Sequence, residues 1–324
     1  MTTAAMILRT LADGECHAGT ALARQAGITR AAIWKQVAAL RGQGLPIRTV
    51  GRQGYQLPWP AELLEVPTLQ ALLPAEGPAC PGPLDLHWDI DSTSSELLRG
   101  GLSLPDLSVV LAEAQSAGRG RRGRSWLSPP GLNLYLSCFK RFERGFSALS
   151  GLSLAVGVMV ARTLEQLQLQ GIGLKWPNDI ICKQGKLGGI LVELVGEYQG
   201  PCAAVIGVGL NLRLPEDLRT QAGQPVSDLA ELAGGTPPGR NLTAARLISQ
   251  LAGGLRQFER EGLAAFSDDF ARLDGLRDQP LRIETAAHVF EGLGAGIDAD
   301  GALQVITPNG IQRVDSAEVS VRRA

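Results

Sequence analysis

The residues best suited to chemistry in this sequence are the arginines of a glycine-rich segment near its centre. Residues 118–124 read GRGRRGR and place four arginines within six positions. Glycine lets a backbone adopt positive φ and approach an anion closely, and guanidinium groups present fixed forks of donors that match carboxylates and phosphates. A solvated basic loop or an RNA-binding tract would have the same composition. Because the segment lies between two apolar runs predicted to be strands, we favour a structured anion site.

Hydroxyl side chains follow the first apolar strand of the same region. Asp91, Ser92, Thr93 and Ser94 come directly after LDLHWDI, which spans residues 84–90. These side chains could cap the helix that follows, or they could hydrogen-bond a polar ligand at the carboxyl end of the strand. The local pattern alone favours capping over ligand binding.

Two further segments carry lysine, asparagine and aspartate at predicted turns. Residues 175–179 read KWPND, and residues 185–189 read GKLGG. A lysine between glycines can act as a point charge on a phosphate, although Asn-Asp turns and exposed hairpin lysines are common without a function. Neither segment is a G-x-x-x-x-G-K-[ST] loop, and no protein-kinase signature is present. A nucleotide, if one is used, must be held in another way.

The first 60 residues predict a winged helix-turn-helix domain. Apolar residues recur at helical spacing over 4–12, 19–26 and 30–44, and two short extended runs follow around a Gly-Arg-Gln-Gly turn. This part holds seven Lys/Arg against two acids, a net charge of +5, whereas residues 61–324 carry −6. The asymmetry is typical of a small phosphate-binding module attached to an enzyme.

The rest of the chain predicts a linker, a larger domain and a small barrel. Residues 61–83 are rich in Pro, Ala and Gly and predict a linker that includes a helix. Over 84–275, predicted strands are separated by helices, and the longest helix spans 147–167. This pattern fits a mixed α/β sheet. Over 276–324, short strands separated by Gly, Asp and Asn turns predict a β-barrel. The predicted fold class is therefore α+β in three parts.

Composition excludes several classes of protein. The five cysteines have neither metal-ligand nor redox spacing, which indicates reduced thiols in a cytoplasmic protein. The chain has three histidines, so no metal cage built by the protein alone is expected. The first residues lack the long apolar core of a signal peptide, and we expect no membrane span because no run of about 18 apolar residues occurs.

Taken in order, the central motifs are more specific than any one of them. The chain contains DST, EAQSAGRGRRGRSW, NLYLS, KWPND, GKLGGILVE and GVGLNL in succession. This order closely resembles the biotin–protein ligases, and with the helix-turn-helix in front the chain is similar to their bifunctional bacterial form, the biotin operon repressors. The resemblance covers nearly the whole chain and is strongest over about 89–212. It implies a class II synthetase-like catalytic domain and an SH3-like C-terminal barrel.

The resemblance implies a biotin site. In this family, Ser-Thr after the first strand and the glutamine before the arginine loop contact the ureido head of biotin. The family usually has asparagine after Ser-Thr, where this chain has Ser94, so one contact of the family differs here. The positions implied to bind biotin are Ser92, Thr93, Ser94, Gln115, Arg119, Gly120, Arg121 and Lys186.

The resemblance also implies an ATP site and a reaction. Biotin and ATP, with Mg²⁺, would form biotinyl-5′-AMP, and biotin would then pass to a lysine of the biotin carboxyl carrier protein of acetyl-CoA carboxylase. Arg119 and Lys186 would stabilise the charge that develops, and Asp179 would accept the proton of the lysine or contact Mg²⁺. The positions implied to bind ATP are Arg119, Arg121, Arg122, Trp126, Asn178, Asp179 and Lys186. Residues 213–240 hold no aromatic residue or histidine, so no adenine lid is assigned.

Binding to operator DNA is the second predicted function. The recognition helix at about 30–41 would enter the major groove, and the wing would lie near phosphates. The positions predicted to contact DNA are Thr29, Arg30, Trp34, Lys35, Arg48 and Arg52. Repression would need a homodimer, which the family forms once the adenylate is bound, here through the arginine loop, residues 140–146 and the strand around 190–197. The alternatives are a ligase with a vestigial winged helix and a lipoate-type ligase.

Overall fold

The N-terminal elements are three helices followed by a two-stranded hairpin, as predicted. The computed structural model describes residues 2–196, 200–284, 289–315 and 320–323. These first elements are α1 (Thr3–Leu11), α2 (Gly19–Ala26), α3 (Arg30–Gly42), β1 (Arg48–Val50) and β2 (Gly54–Gln56). Gly27 ends α2 in the left-handed conformation, and the Thr29 hydroxyl caps α3. Arg41 ties α3 to the wing by donating to the carbonyl of Ile47 and to the hydroxyl of Thr49, both at 2.8 Å.

The apolar core of the winged helix continues into the next part of the chain. Buried side chains of its three helices, such as Leu8, form one cluster with Leu63, Leu132 and Leu218. Leu218 lies on the short helix α7 (Glu216–Gln221), far along the sequence. A boundary at residue 60 stays a prediction, since apolar contacts cross it.

A buried ion pair joins the linker to the central region. Arg240 donates to Glu113 at 2.8 Å, and the two residues are 4% and 3% exposed. The other oxygen of Glu113 accepts the N–H of Leu64, while Arg240 also donates to the carbonyls of Glu62 (2.7 Å) and Asn133 (2.8 Å). Both buried charges are therefore partnered, and the linker is held against the sheet.

Removing one member of this pair should destabilise the protein. Arg240→Met leaves the Glu113 carboxylate buried without its cation, so we expect the free energy of unfolding to fall by about 3–5 kcal/mol, measured by urea denaturation. Arg260→Met is the control, because that side chain is 63% exposed, and it should cost less than about 1 kcal/mol. Equal stability of the two variants would show that the buried pair has no such role.

A seven-stranded mixed sheet forms the centre of the molecule. Its strands are β3 (Leu84–Ile90), β4 (Val109–Gln115), β5 (Leu134–Phe142), β6 (Gly173–Lys175), β7 (Asp179–Cys182), β8 (Gly185–Gly196) and β9 (Cys202–Leu210). The strand order is β3-β4-β5-β9-β8-β7-β6, and among these described strands β3 and β4 form the one parallel pair. Because Ile90 pairs with Gln115 at the carboxyl ends of that pair, the segments that follow the two strands meet at one edge.

Besides α7, the helices of this part are α4 (Val66–Leu72), α5 (Thr93–Gly100), α6 (Leu152–Gln166), α8 (Leu229–Leu232), α9 (Arg240–Glu261) and α10 (Ser267–Leu273). Several of them pack against the sheet, among them α5, α6 and α9. Helix α6 is almost wholly buried and packs on α9. Phe146–Gln166 is long and apolar enough to cross a membrane by length and composition, but 67% of its most apolar window is buried in the protein. Packing in the core accounts for its composition.

Several predicted elements differ from the structure for local reasons. The long helix begins at Leu152 rather than 147, because Gly151 adopts φ of +74° after a 3₁₀ turn. The predicted strand over 173–180 is two strands, β6 and β7, joined by a turn with a cis Trp176–Pro177 peptide. Helices α7 and α8 were missed because each is too short to show a period.

The C-terminal part is an antiparallel sheet of five strands, as predicted for a small barrel. They are β10 (Pro280–Glu284), β11 (Val289–Ile297), β12 (Leu303–Thr307), β13 (Gly310–Val314) and β14 (Ser320–Arg323), in the order β13-β12-β11-β10-β14. Leu281, Ile283, Leu303 and Val305 from its inner face join the main apolar core. The α+β organisation predicted from the sequence is confirmed.

Candidate functional site

A cavity of about 700 Å³ lies over the sheet where the segments after β3, β4 and β6 converge. Every position that the sequence assigned to biotin or ATP borders it. Those positions are Ser92, Thr93, Ser94, Gln115, Arg119, Gly120, Arg121, Arg122, Trp126, Asn178, Asp179 and Lys186. The structure therefore brings the predicted site together, while the role of each residue stays a prediction.

Hydroxyl and amide groups are clustered in one part of the cavity. Thr93 donates its backbone N–H to the Gln115 side-chain oxygen at 2.9 Å. The hydroxyls of Thr93 and Ser94 lie 2.7 and 2.9 Å from the hydroxyl of Ser137, which is fully buried. Ser92 caps α5 and also borders the cavity, so it combines both roles expected for this segment. This cluster suits a small neutral group with several donors and acceptors.

Ser137 was not predicted, although its motif NLYLS was noticed. It lies on β5, whose place beside β4 and β9 is a property of the sheet order. Ser94, at the position where the resemblance implied an asparagine, lies 2.9 Å from the hydroxyl of Ser137 and so belongs to the same hydroxyl cluster.

Two glycines of β9 keep the sheet surface open beneath the cavity. A Cβ atom at Gly207 would lie 2.7 Å from the Ser94 hydroxyl, and one at Gly209 would lie 2.5 Å from the Trp126 indole. Alternate glycines on one face of a strand remove the side chains that would fill the space. The spacing G-V-G in an otherwise apolar run was the available signal, and it was given no role.

Filling this space should weaken ligand binding. Gly209→Ala forces the Trp126 ring to move, so we expect binding of biotin and ATP to weaken by about tenfold or more, measured by calorimetry. Gly253→Ala is the control, because the nearest atom to a Cβ at that helical position is 3.8 Å away. Unchanged binding in Gly209→Ala would mean that the ligands lie elsewhere.

The arginine-rich loop is ordered and folded back on itself. Gly120 donates its N–H to the carbonyl of Arg124 at 2.7 Å, and Trp126 donates to Gly118 at 2.8 Å. The Arg119 guanidinium makes a two-pronged pair with Glu193 of β8, at 2.7 and 2.8 Å. Arg119 is thus held by a carboxylate, which sequence reasoning did not predict because Glu193 lies 74 residues away.

The other arginines of the loop differ in exposure. Arg121 is half-buried in the cavity wall. Burial lowers the pKa of its guanidinium, and the nearby charge of Asp179 opposes that effect. Because the ordinary pKa of arginine is so high, Arg121 stays a cation at neutral pH. Arg122 and Arg124 are exposed at the rim.

Lys186 and Asp179 form a second charged group in the cavity. The Lys186 ammonium lies 2.7 Å from a carboxylate oxygen of Asp179 and 5.4 Å from the centre of the Trp126 ring. Asn178 fixes the adjoining turn, since its side chain donates to the carbonyl of Ile190 at 2.8 Å and its carbonyl accepts the N–H of Ile190. Asn178 therefore positions the neighbouring Asp179, independently of any contact that Asn178 makes with a ligand.

The charge of the cavity is strongly positive. Six cationic side chains border it, while Asp179 is the one carboxylate among the described lining residues. The cations are Arg119, Arg121, Arg122, Arg124, Lys175 and Lys186. No group of three or more His, Cys, Asp or Glu that could hold a metal ion occurs in the described residues. One carboxylate suits Mg²⁺ that is already bound to phosphates, which commonly keeps one or two protein ligands.

The predicted DNA-contacting residues lie on the surface of the winged helix. Arg30, Trp34 and Lys35 are exposed on α3, and Arg48 and Arg52 are exposed on the wing. Thr29 is exposed too, and its hydroxyl is the cap of α3. These side chains are therefore available to a partner.

Sequence profiles of three families match successive parts of the chain. The Biotin/lipoate A/B protein ligase family matches residues 90–211. An HTH domain matches residues 4–56, and the Biotin protein ligase C terminal domain matches residues 278–322. These three matches follow the order of parts predicted from the sequence.

Curated relatives align with nearly the full chain. The bifunctional ligase/repressor BirA of Salmonella typhimurium is 37% identical over 321 residues, covering 98% of this chain and 97% of the relative. The protein of that name from Escherichia coli is 38% identical, with 98% and 97% covered. A biotin–[acetyl-CoA-carboxylase] ligase of Paracoccus denitrificans is 32% identical and covers 71% of this chain and 96% of the relative.

A solved structure of a biotin protein ligase shows the same fold over three quarters of the chain. The biotin protein ligase of Aquifex aeolicus in complex with biotin and ATP is 25% identical and superimposes with a TM-score of 0.64, covering 75% of this chain and 99% of that chain. The fold predicted for the central part is therefore confirmed.

Proposed function

The chain belongs to the biotin protein ligase family in its bifunctional ligase/repressor form, and we propose that it joins biotin to a lysine of a partner protein through biotinyl-5′-AMP. The observation that carries this proposal is the cavity, where a hydroxyl and amide cluster lies beside six cations. Biotin has a neutral polar head and an anionic carboxylate, and ATP adds phosphates. The two parts of the cavity match these two kinds of chemical group.

In the first step, an oxygen of the biotin carboxylate attacks the α-phosphorus of ATP. A P–O bond forms, the bond to pyrophosphate breaks, and a mixed anhydride results. Both reactants are anions, so cations placed in advance lower the barrier most. Arg119, Arg121 and Lys186 supply this charge, because all three border the cavity. No side chain has to act as a covalent nucleophile.

When bound together with ATP, Mg²⁺ would supply further positive charge to the phosphates. Asp179 is the carboxylate that would hold it, because it borders the cavity. The pairing of Asp179 with Lys186 at 2.7 Å keeps that carboxylate in place before the nucleotide enters.

In the second step, the amine of the acceptor lysine attacks the carbonyl of the adenylate. The amide bond forms, AMP leaves, and the amine loses a proton. We assign acceptance of that proton to Asp179, because its carboxylate borders the cavity. A biotin carboxyl carrier protein of acetyl-CoA carboxylase is the proposed acceptor, since relatives carry the name of that ligase.

The ligase is tested by the mass of an acceptor. A recombinant biotin carboxyl carrier domain, incubated with this protein, biotin and Mg-ATP, should gain the mass of one biotinyl group on lysine. Omission of ATP should abolish the gain. Lipoate, tested in place of biotin, should give none, because the C-terminal part matches the biotin protein ligase domain. Modification by lipoate alone would replace this proposal with the lipoate-type alternative.

We also propose that the chain binds operator DNA as a homodimer and represses biotin synthesis genes when the adenylate is bound. The exposed arginine and lysine side chains of α3 and the wing support this proposal. The contact of Leu218 with the winged-helix core supports it against a vestigial domain, because α7 leads directly into residues 222–225, of which each borders the cavity. The segment 216–225 therefore contacts the winged helix at one end and the cavity at the other.

The proposed dimer surface includes the arginine loop, residues 140–146 and the strand around 190–197, of which Glu197 lies outside the described residues. The Arg119–Glu193 pair links the first and third of these segments. A mobility shift on upstream DNA, with and without biotin and ATP, tests repression, and no binding in either condition would leave the ligase alone.

All five cysteines are free thiols, and we propose the cytoplasm as the place of action.

A further inference from the structure

The outward face of α3 carries an apolar strip between cations. Ala31, Trp34 and Ala38 lie at helical spacing on that face, and each is exposed. Trp34 is 59% exposed, whereas Ile33 and Val37 on the opposite face are fully buried. Most of the surface of this large indole is in water rather than packed in the domain, and with the exposed alanines beside it the strip is suited to a partner.

Charge around the strip restricts the class of that partner. Between Glu15 and Glu62 the sequence contains no acidic residue, whereas it contains six arginines and lysines. Arg30 and Lys35 flank Trp34 on α3, and Arg24 is exposed on α2. A surface without carboxylates and with an apolar centre is complementary to a polyanion that presents apolar groups.

Double-stranded DNA meets this description at its thymines. In the major groove, thymine shows a C5-methyl group, the one apolar group on any base edge there, while the phosphates flank the groove. A helix enters the groove with its outward face toward the bases. An indole has the area to cover a methyl group and, unlike arginine or asparagine, pairs with no base through two hydrogen bonds.

We propose that Trp34 reads thymine methyl groups in the operator, with Ala31 and Ala38 leaving room for the bases beside it. This inference rests on the proposed binding of operator DNA and adds the base that the recognition helix selects. Arg30 and Lys35 then supply the contacts to phosphates or guanine edges. The wing arginines, Arg48 and Arg52, bind the backbone.

Replacing thymine by uracil tests the proposal, because uracil lacks the methyl group and pairs with adenine in the same way. The DNA segment protected by the full-length protein with biotin and ATP is first mapped by footprinting. Each protected thymine is then replaced singly by deoxyuridine. We expect at least one replacement in each half-site to weaken binding by about fivefold, the effect of exposing one buried methyl group.

Trp34→Ala should bind the unmodified site about tenfold or more weakly and should no longer distinguish thymine from uracil. Lys35→Ala should also weaken binding and reduce its salt dependence, but it should keep the preference for thymine. Circular dichroism and retained biotin transfer would show that both variants are folded.

Three results would overturn the proposal, and they differ in meaning. Specific DNA binding that is indifferent to every uracil replacement would refute the role of Trp34 while leaving repression intact. A Trp34→Ala variant that still prefers thymine would assign the preference to another residue. No protected segment at all would remove both the repressor and this inference, but not the ligase.

Discussion

Lys186→Ala should lower the rate of biotinyl-adenylate formation by about 10²–10³-fold, the usual effect of removing one preorganised group that stabilises charge in a transition state. The Lys186 side chain is 16% exposed, and its ammonium is already paired with the Asp179 carboxylate. Its removal takes a cation from the cavity and leaves Asp179 as an uncompensated carboxylate where the phosphates must lie. The measurement is isotope exchange between pyrophosphate and ATP in the presence of biotin.

Lys183→Ala is the matched control for this prediction. Lys183 lies in the same hairpin, is exposed, and is not among the residues that border the cavity. The Lys183→Ala variant should exchange pyrophosphate at nearly the rate of the unsubstituted protein. Lys186→Arg should recover part of the loss because it restores a cation. A rate for Lys186→Ala within a few-fold of Lys183→Ala would exclude Lys186 from the adenylation step.

Arg119→Ala should reduce kcat/KM for biotin in adenylate formation by about 10²-fold, for a reason that depends on its partner. The Arg119 guanidinium is paired through two hydrogen bonds with Glu193. Without it, the Glu193 carboxylate is left unpaired beside a cavity that must accept two anions. The basic loop also loses an ion pair that links it to β8.

Glu193→Gln in the same chain should separate these two effects. If repulsion from an unpaired carboxylate causes the loss, Arg119→Ala/Glu193→Gln should be more active than Arg119→Ala alone, which is a favourable interaction energy in a double-mutant cycle. Glu193→Gln alone should have a smaller effect, because Arg119 then stays a cation that can still donate to the amide oxygen. Additive losses in the double variant would show that the pair seen in the free protein does not govern the reaction.

The positions of the site were predicted from the order of the motifs along the chain, which resembles the biotin protein ligases, whereas the local pattern at residues 92–94 alone favoured helix capping. Thr93 and Gln115 come directly after β3 and at the end of β4, and the parallel pairing of those strands places them side by side. Lys186 and Asp179 are joined by the short hairpin of β7 and β8, so their pairing is also local. Lys186 and Asp179 are therefore close both in sequence and in space.

What sequence reasoning missed depends on long-range pairing. Ser137 reaches Thr93 through the order of β4 and β5, and Gly209 forms the floor because β9 lies between β5 and β8. Glu193 meets Arg119 only when the loop folds toward β8. None of these relations has a signal in a single sequence, because a strand pattern does not say which strand is its neighbour.

The winged helix shows the same limit at a larger scale. Its three helices and wing were predicted from apolar spacing and turn residues, and their existence was confirmed. The contact of Leu218 with its core was not predicted, since α7 has no apolar period of its own. A linker rich in proline and glycine suggested separate domains, whereas buried contacts cross it.

The most direct test of the central claim is a crystal structure of the protein with a stable analogue of biotinyl-5′-AMP. We expect the ring of biotin against Thr93 and Gln115, and the group that replaces the phosphate within about 3 Å of the Lys186 ammonium and of a donor from residues 118–124. An analogue bound with the arginine loop turned away and Lys186 still paired with Asp179 alone would contradict the proposed electrostatic mechanism.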